Sequence, residues 1–273
     1  MRLGLEAGSE THDLAVELGI HGVPVSMNQI LDNGVEATLA PLKDRELQVC
    51  QIGAFGYNPL STDRESQIKQ TKMLKAVIPL APDTGCRYIV ICGGNYHPSG
   101  FGAGDARNYT DQALKEVAAA LVPMVDQAAK AGVYLSIEPY LKTAVYSPER
   151  FLSLQSMVGS DALRINIDPT SLYDYWDLWD SEHKVTDVCT KLAGHYGLGH
   201  IKEVALAEGF HIHAGLAPLG TGVTNWAQML QLMAPHLPDD SWVILEHVQS
   251  AEEARNSYAL LQKAAASVNV TLE

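Results

Sequence analysis

The chain has 273 residues, 47% hydrophobic and 19% charged, which suits one large domain over residues 1–273 with a sizeable core. Its formal net charge of −13, with no Lys/Arg cluster longer than a pair, excludes a protein that grips nucleic-acid phosphates through a basic stripe. No apolar run approaches the roughly 18 residues of a membrane helix, Met1–Glu6 lacks the apolar core of a signal peptide, and four cysteines show no CxxC spacing, so a cytoplasmic protein with reduced thiols is expected.

Eight short apolar runs recur along the chain: Leu3–Ala7, Gly22–Met27, Gln48–Phe55, Tyr88–Gly93, Val133–Pro139, Leu163–Asp168, Leu198–Val204 and Trp242–His247. Ile89-Val-Ile-Cys92 and Val243-Ile-Leu245 are apolar throughout, as buried parallel strands are. Gln48 and Gln51 interrupt the third run. Between the runs lie helical patterns. Ala113, Val117, Leu121, Met124 and Ala128 repeat at helical spacing, and Ala254, Tyr258, Leu261 and Ala265 form a second stripe. Thr62-Asp-Arg-Glu65 and Ser250-Ala-Glu-Glu253 read as capping boxes, Ser147-Pro148 as a helix start, and Gly85 and Gly132 as C-caps. Strands alternating with helices predict a parallel (β/α)8 TIM barrel. A doubly wound open sheet is the alternative, but the turn after the first run, Glu6-Ala-Gly-Ser-Glu10, is acidic and unsuited to phosphate.

A barrel places its active site where the strands end. The last four runs bring Glu138, Asp168, His200 and Glu246 to one rim. Three carboxylates in such proximity repel one another and call for a counter-charge. A divalent cation answers that need, and three oxygen donors with one imidazole suit Mn²⁺ first, with Mg²⁺, Co²⁺ and Zn²⁺ as further options. Lys202, two residues after His200, faces the same side of its strand. It either binds a substrate oxygen and steadies an enolate, or pairs with one of the carboxylates. Asn95, His97 and Tyr140 follow strand ends and are expected substrate contacts, with Glu6 a further rim residue. The segment Tyr173–Trp179 is aromatic and acidic, and reads as a pocket wall or an oligomer contact. His211 and His213 lack further ligands nearby and read as structural or rim residues.

Together, Ile137-Glu138-Pro139, Ile167-Asp168, His200-Ile-Lys202-Glu203, Pro218-Leu-Gly220-Thr-Gly222 and Leu245-Glu246-His247 resemble the xylose isomerase-like barrel superfamily, in particular its sugar phosphate isomerase/epimerase branch. The resemblance runs from Leu3 to about Ala266. It implies that Glu138, Asp168, His200 and Glu246 hold the metal, and that Glu138 and Glu246 also exchange protons with the substrate. The function so implied is a metal-dependent isomerase or epimerase of a keto-sugar or related polyol ketone, acting through an enediolate, with Lys202 assisting. The expected partners are a small sugar and further copies of the chain, as a dimer or tetramer. One departure stands out. Ketose epimerases of the family often carry His three residues after the strand-six Asp and Arg six residues after the His ligand, where this chain has Ser171 and Leu206. A lyase using the same enolate chemistry (a dehydratase, a 3-keto-glycoside eliminase or a decarboxylase) is therefore the alternative. A DNA-repair endonuclease would need more strand-end histidines and a basic face. A sugar-binding protein on an inactive barrel would not need all four acidic and imidazole ligands.

Overall fold

The structure, a computed structural model, describes residues 1–273. The strands are β1 (Leu3–Leu5), β2 (Gly22–Ser26), β3 (Gln48–Gly53), β4 (Tyr88–Cys92), β5 (Tyr134–Glu138), β6 (Leu163–Ile167), β7 (Tyr196–Ile201), β8 (Glu203–Ala207), β9 (His213–Ala217) and β10 (Val243–Leu245). The helices are α1 (Thr11–Leu18), α2 (Met27–Asn33), α3 (Val35–Lys43), α4 (Arg64–Val77), α5 (Asp111–Ala131), α6 (Pro148–Val158), α7 (Ser181–Lys191), α8 (Trp226–Met233) and α9 (Ala251–Ser267). Eight strands close a barrel in the order β1-β10-β7-β6-β5-β4-β3-β2, and every pair in it is parallel. This is the expected (β/α)8 architecture, and no helix is long and apolar enough to cross a membrane.

The strand and helix patterns become the core. All of β4 is buried, and Ala113, Val117, Leu121, Met124 and Ala128 turn the buried face of α5 to the sheet. Ser147 caps α6 by accepting a hydrogen bond from the Arg150 amide, with Pro148 in the first turn. Gly132 ends α5 at φ 69°, a left-handed turn that glycine takes without a Cβ penalty. The closure between β1 and β2 is thin, with Gly4 opposite Gly22 as its register pair. Gly22 is required there, because a Cβ would lie 2.6 Å from the Trp242 ring. All four cysteines are buried and free.

Two local expectations are corrected. The start of α4 is capped by Asp63, whose carboxylate accepts from the Ser66 amide at 3.1 Å, so Thr62 lies one residue outside the helix. The run Leu198–Val204 is not one strand. β7 ends at Ile201, and Glu203 begins an antiparallel hairpin, β8–β9, that stands apart from the barrel. The alternation of residues continues through the break, so the sequence pattern does not mark it. Leu206 lies on β8, His213 opens β9, and His211 sits in the turn between them.

Candidate metal centre

The four expected ligands meet at the C-terminal mouth. Glu138 is the last residue of β5, Asp168 follows β6, His200 lies within β7 and Glu246 follows β10. These strands are neighbours in the barrel, so their ends fall side by side. One ligand atom from each residue lies within 4.8 Å of all the others. His200 pairs in register with Ile244, and the Glu246 amide donates to the Ile201 carbonyl at 3.1 Å, which fixes these two strand ends against each other.

Two of these side chains, Asp168 and His200, are held from behind. Asp168 is fully buried and caps the short 3₁₀ turn Pro169–Leu172. Its Oδ1 accepts from the Thr170 hydroxyl at 2.7 Å and the Ser171 amide at 3.2 Å, and its Oδ2 accepts from the Ser171 hydroxyl at 2.7 Å. His200 Nε2 lies 2.8 Å from Gln51 Oε1. An amide oxygen only accepts, so Nε2 carries the hydrogen and Nδ1 faces the carboxylates. Gln51 gains this position because the β2–β3 register slips between Val23 and Pro24, setting Gln51 opposite Pro24.

Lys202 is drawn into the cluster. Its ammonium donates to Asp168 Oδ2 and Glu246 Oε1 and stands 3.6 Å from Glu138 Oε1. The ion pair with the carboxylates is present, and it leaves Lys202 on the wall of the cavity over the centre. Burial disfavours the lysine's charge, but Asp168, Glu246 and Glu138 outweigh it and hold its pKa well above the ordinary range. Burial likewise opposes the imidazolium of His200, yet Glu246 and Glu138 push it up to about 10. Burial also opposes ionisation of Glu246, and His200 and Lys202 more than offset it, driving its pKa down. The cluster therefore demands positive charge. His200 Nδ1 is 3.1 Å from Glu246 Oε2, but it makes no aligned hydrogen bond and is an orphaned buried donor-acceptor atom. Three carboxylate groups and an imidazole nitrogen turned to one point fit a divalent cation.

The surroundings differ from expectation in part. Tyr140 lines a cavity of about 400 Å³ over the centre, together with Glu6, Phe55, Phe101, Leu216 and His247. Asn95 and His97 do not line it. Asn95 is buried, and its amide is engaged within the loops: Oδ1 accepts from the His97 amide at 2.8 Å and from Asn108 at 2.7 Å, and Nδ2 donates to the Ala103 carbonyl at 2.8 Å. The His97 ring contacts the Ser99 hydroxyl. His247 follows Glu246 at φ 60°, a left-handed conformation uncommon outside glycine. Burial and the nearby Glu246 raise the pKa of Glu6. Gln51, Phe55 and Phe101 were missed from the sequence. Of these, only Gln51 left a trace, as the polar residue that interrupts an apolar strand.

A family model for xylose isomerase-like TIM barrels matches residues 13–264, and the chain belongs to that family. Among solved structures it is similar to the 3-keto-D-glucoside 4-epimerase YcjR of E. coli, with 17% identity over 96% of this chain and 99% of that one and a TM-score of 0.72. It is similar to the probable 3-DHS dehydratase AsbF of Bacillus anthracis, with 19% identity over 95% and 98% of the two chains and a TM-score of 0.70. It also matches a xylose isomerase-like TIM barrel protein of Mycobacterium smegmatis in complex with magnesium, with 17% identity over 94% and 87% and a TM-score of 0.72. No curated protein matches the sequence.

Proposed function

We propose that the protein is a divalent-metal-dependent isomerase or epimerase of a keto-sugar or related polyol ketone. The observation that carries this reading is the convergence of Glu138, Asp168, His200 and Glu246 at one point, beside a cavity that Glu138 and Glu246 line. These four residues would hold the ion, with Mn²⁺ first among the candidates. When bound, such an ion supplies Lewis-acid polarisation of a carbonyl and offsets the charge of the carboxylates. Glu138, the most accessible of the four, is placed to take the proton from the carbon beside the carbonyl. Glu246, on the other side of the cluster, returns a proton to the opposite face or to the adjacent carbon. Lys202 borders the cavity and steadies the negative charge that develops on the substrate oxygens. General acid–base catalysis of this kind contributes about 10²–10⁴-fold. Phe55, Phe101 and Tyr140 line the cavity and would supply aromatic surface for the C–H groups of a sugar.

One observation favours a lyase as the second reading. Ser171 turns its hydroxyl to Asp168, and Leu206 sits in the hairpin, so the His and Arg of ketose epimerases have no counterparts at those positions. The similarity to a probable dehydratase supports the same alternative. Incubating Mn²⁺-loaded protein in D₂O with keto-sugars, inososes and 3-keto-glycosides separates the two. Isomerisation or epimerisation conserves substrate composition and introduces deuterium beside the carbonyl, whereas a lyase product has lost mass. Glu138→Gln and Glu246→Gln are expected to lower exchange at least 10²-fold. Near-full exchange by either variant with metal bound overturns the proposed acid–base roles.

A further inference from the structure

A second chamber of about 520 Å³ adjoins the cavity over the centre. The two share Tyr140, Ser171, Lys202 and Leu216, so the chamber lies directly beside the centre. Their chemistry differs. The first is lined by Glu6, Glu138 and Glu246, whereas the second is walled by Tyr109, Tyr173, Tyr175 and Ile212, with Lys142, Asp174 and His213 beside them. Its walls come from the aromatic segment after β6 and from the β8–β9 hairpin. Tyr173 is buried, with its hydroxyl 3.2 Å from that of Thr224, so its ring is fixed in the wall. Tyr175 and Ile212 are 62% and 45% exposed, and so present apolar surface for a ligand to cover.

Each cavity alone is of the size that takes a small ligand. A free monosaccharide at the centre would leave the second chamber unfilled. From a tyrosine-walled chamber beside the acidic centre we infer that the substrate is a keto-glycoside carrying an apolar, aromatic aglycone, with its ketone-bearing sugar ring over the acidic cluster and its aglycone in the chamber beneath the hairpin. Tyrosine rings stack on a planar aglycone without requiring a fixed pattern of polar groups. This inference rests on the reading of the centre as a sugar site.

The test uses Mn²⁺-loaded protein and paired probes: methyl and 4-nitrophenyl 3-keto-glycosides derived from glucose, galactose, mannose and xylose, in both anomers, titrated by calorimetry. At least one nitrophenyl glycoside is expected to bind tenfold or more tightly than its methyl partner. Ile212→Asp and Tyr175→Ser lie outside the cavity over the centre. They are expected to remove that advantage and leave the methyl glycoside's affinity unchanged. No preference in any pair, no binding in any pair, or a preference that survives both substitutions overturns the inference. So does a wild-type dimer that Ile212→Asp converts to monomer without touching the preference, which would make the chamber wall a contact between copies. Mn²⁺ binding and deuterium exchange are measured separately. If these fail while the nitrophenyl preference persists, the catalytic reading falls and the chamber stands; the converse result leaves the catalytic reading intact.

Discussion

At the scale of single residues, the centre depends on groups that do not themselves face the ion site. Gln51 decides which nitrogen of His200 is available. Its Oε1 accepts the Nε2 hydrogen at 2.8 Å and leaves Nδ1 turned to Glu246 and Glu138. Ser171 does the same for Asp168 through its hydroxyl and its amide. Removing an outer partner of a metal-binding histidine typically weakens metal affinity 10–100-fold. Gln51→Met keeps the volume and deletes the acceptor. Its Mn²⁺ affinity, measured by calorimetry, is expected to fall by about that factor, and the buried Nε2 hydrogen left without its acceptor costs about 1–3 kcal/mol of stability without metal. An unchanged affinity would mean that His200 is oriented by its packing alone. The left-handed His247 beside Glu246 is a further local peculiarity of the site, and its ring lies 3.5 Å from the Glu246 carboxylate.

At the scale of elements, what was legible followed from periodicity and what was hidden followed from context. The barrel was readable because buried parallel strands are apolar runs and their ends carry polar residues, so Glu138, Asp168, His200 and Glu246 stood out by position. The hairpin was not readable, because Glu203–Ala207 continues the alternation of β7 while leaving its sheet. Asn95 looked like a substrate contact because a polar residue after a strand has the same sequence signature whether it binds a ligand or anchors its own loop. Glu203 illustrates the same limit. Its buried carboxylate accepts from the amides of Val204, Gly220 and Thr224 at 3.1, 3.3 and 3.3 Å, and from the Trp226 indole at 2.9 Å. It thereby pins the Pro218–Gly222 loop and the start of α8 to the end of β7. Gly222 permits this approach, since a Cβ there would lie 2.5 Å from the Glu203 carboxyl carbon. Glu203→Ala strands the buried Trp226 indole N–H and three amides that water can partly reach, at roughly 1–3 kcal/mol for a fully buried unsatisfied group. We expect about 3 kcal/mol of destabilisation in urea titrations and a red-shifted Trp226 emission. Glu203→Gln should fall between that variant and wild type.

At the scale of the whole molecule, the thiols couple the core to pH. Burial pushes Cys86, Cys92 and Cys189 up to about 12, and raises Cys50 as well. In the unfolded chain each titrates near about 8.5. Below that pH both states keep the thiol protons, and the thiols contribute no pH dependence. Above it the unfolded state releases protons that the folded state retains. The unfolded state then binds fewer protons, so stability falls as pH rises. The slope approaches roughly 1.4 kcal/mol per thiol per pH unit. By pH 10 each thiol contributes a loss of about 2 kcal/mol, and the four together about 8 kcal/mol, comparable with the whole net stability of a typical domain. Urea midpoints measured without metal from pH 8 to pH 10 are expected to drop steeply, with His200, held up to about 10, adding to the four thiols, and Cys50→Ala with Cys189→Ala should lessen the drop by about two-fifths. The native protein should also resist thiol-reactive chromophores at pH 8, with all four cysteines reacting only after denaturation. A flat stability profile over that window, or rapid labelling of the folded protein, would mean that the segments carrying these thiols open to water far more readily than their burial implies.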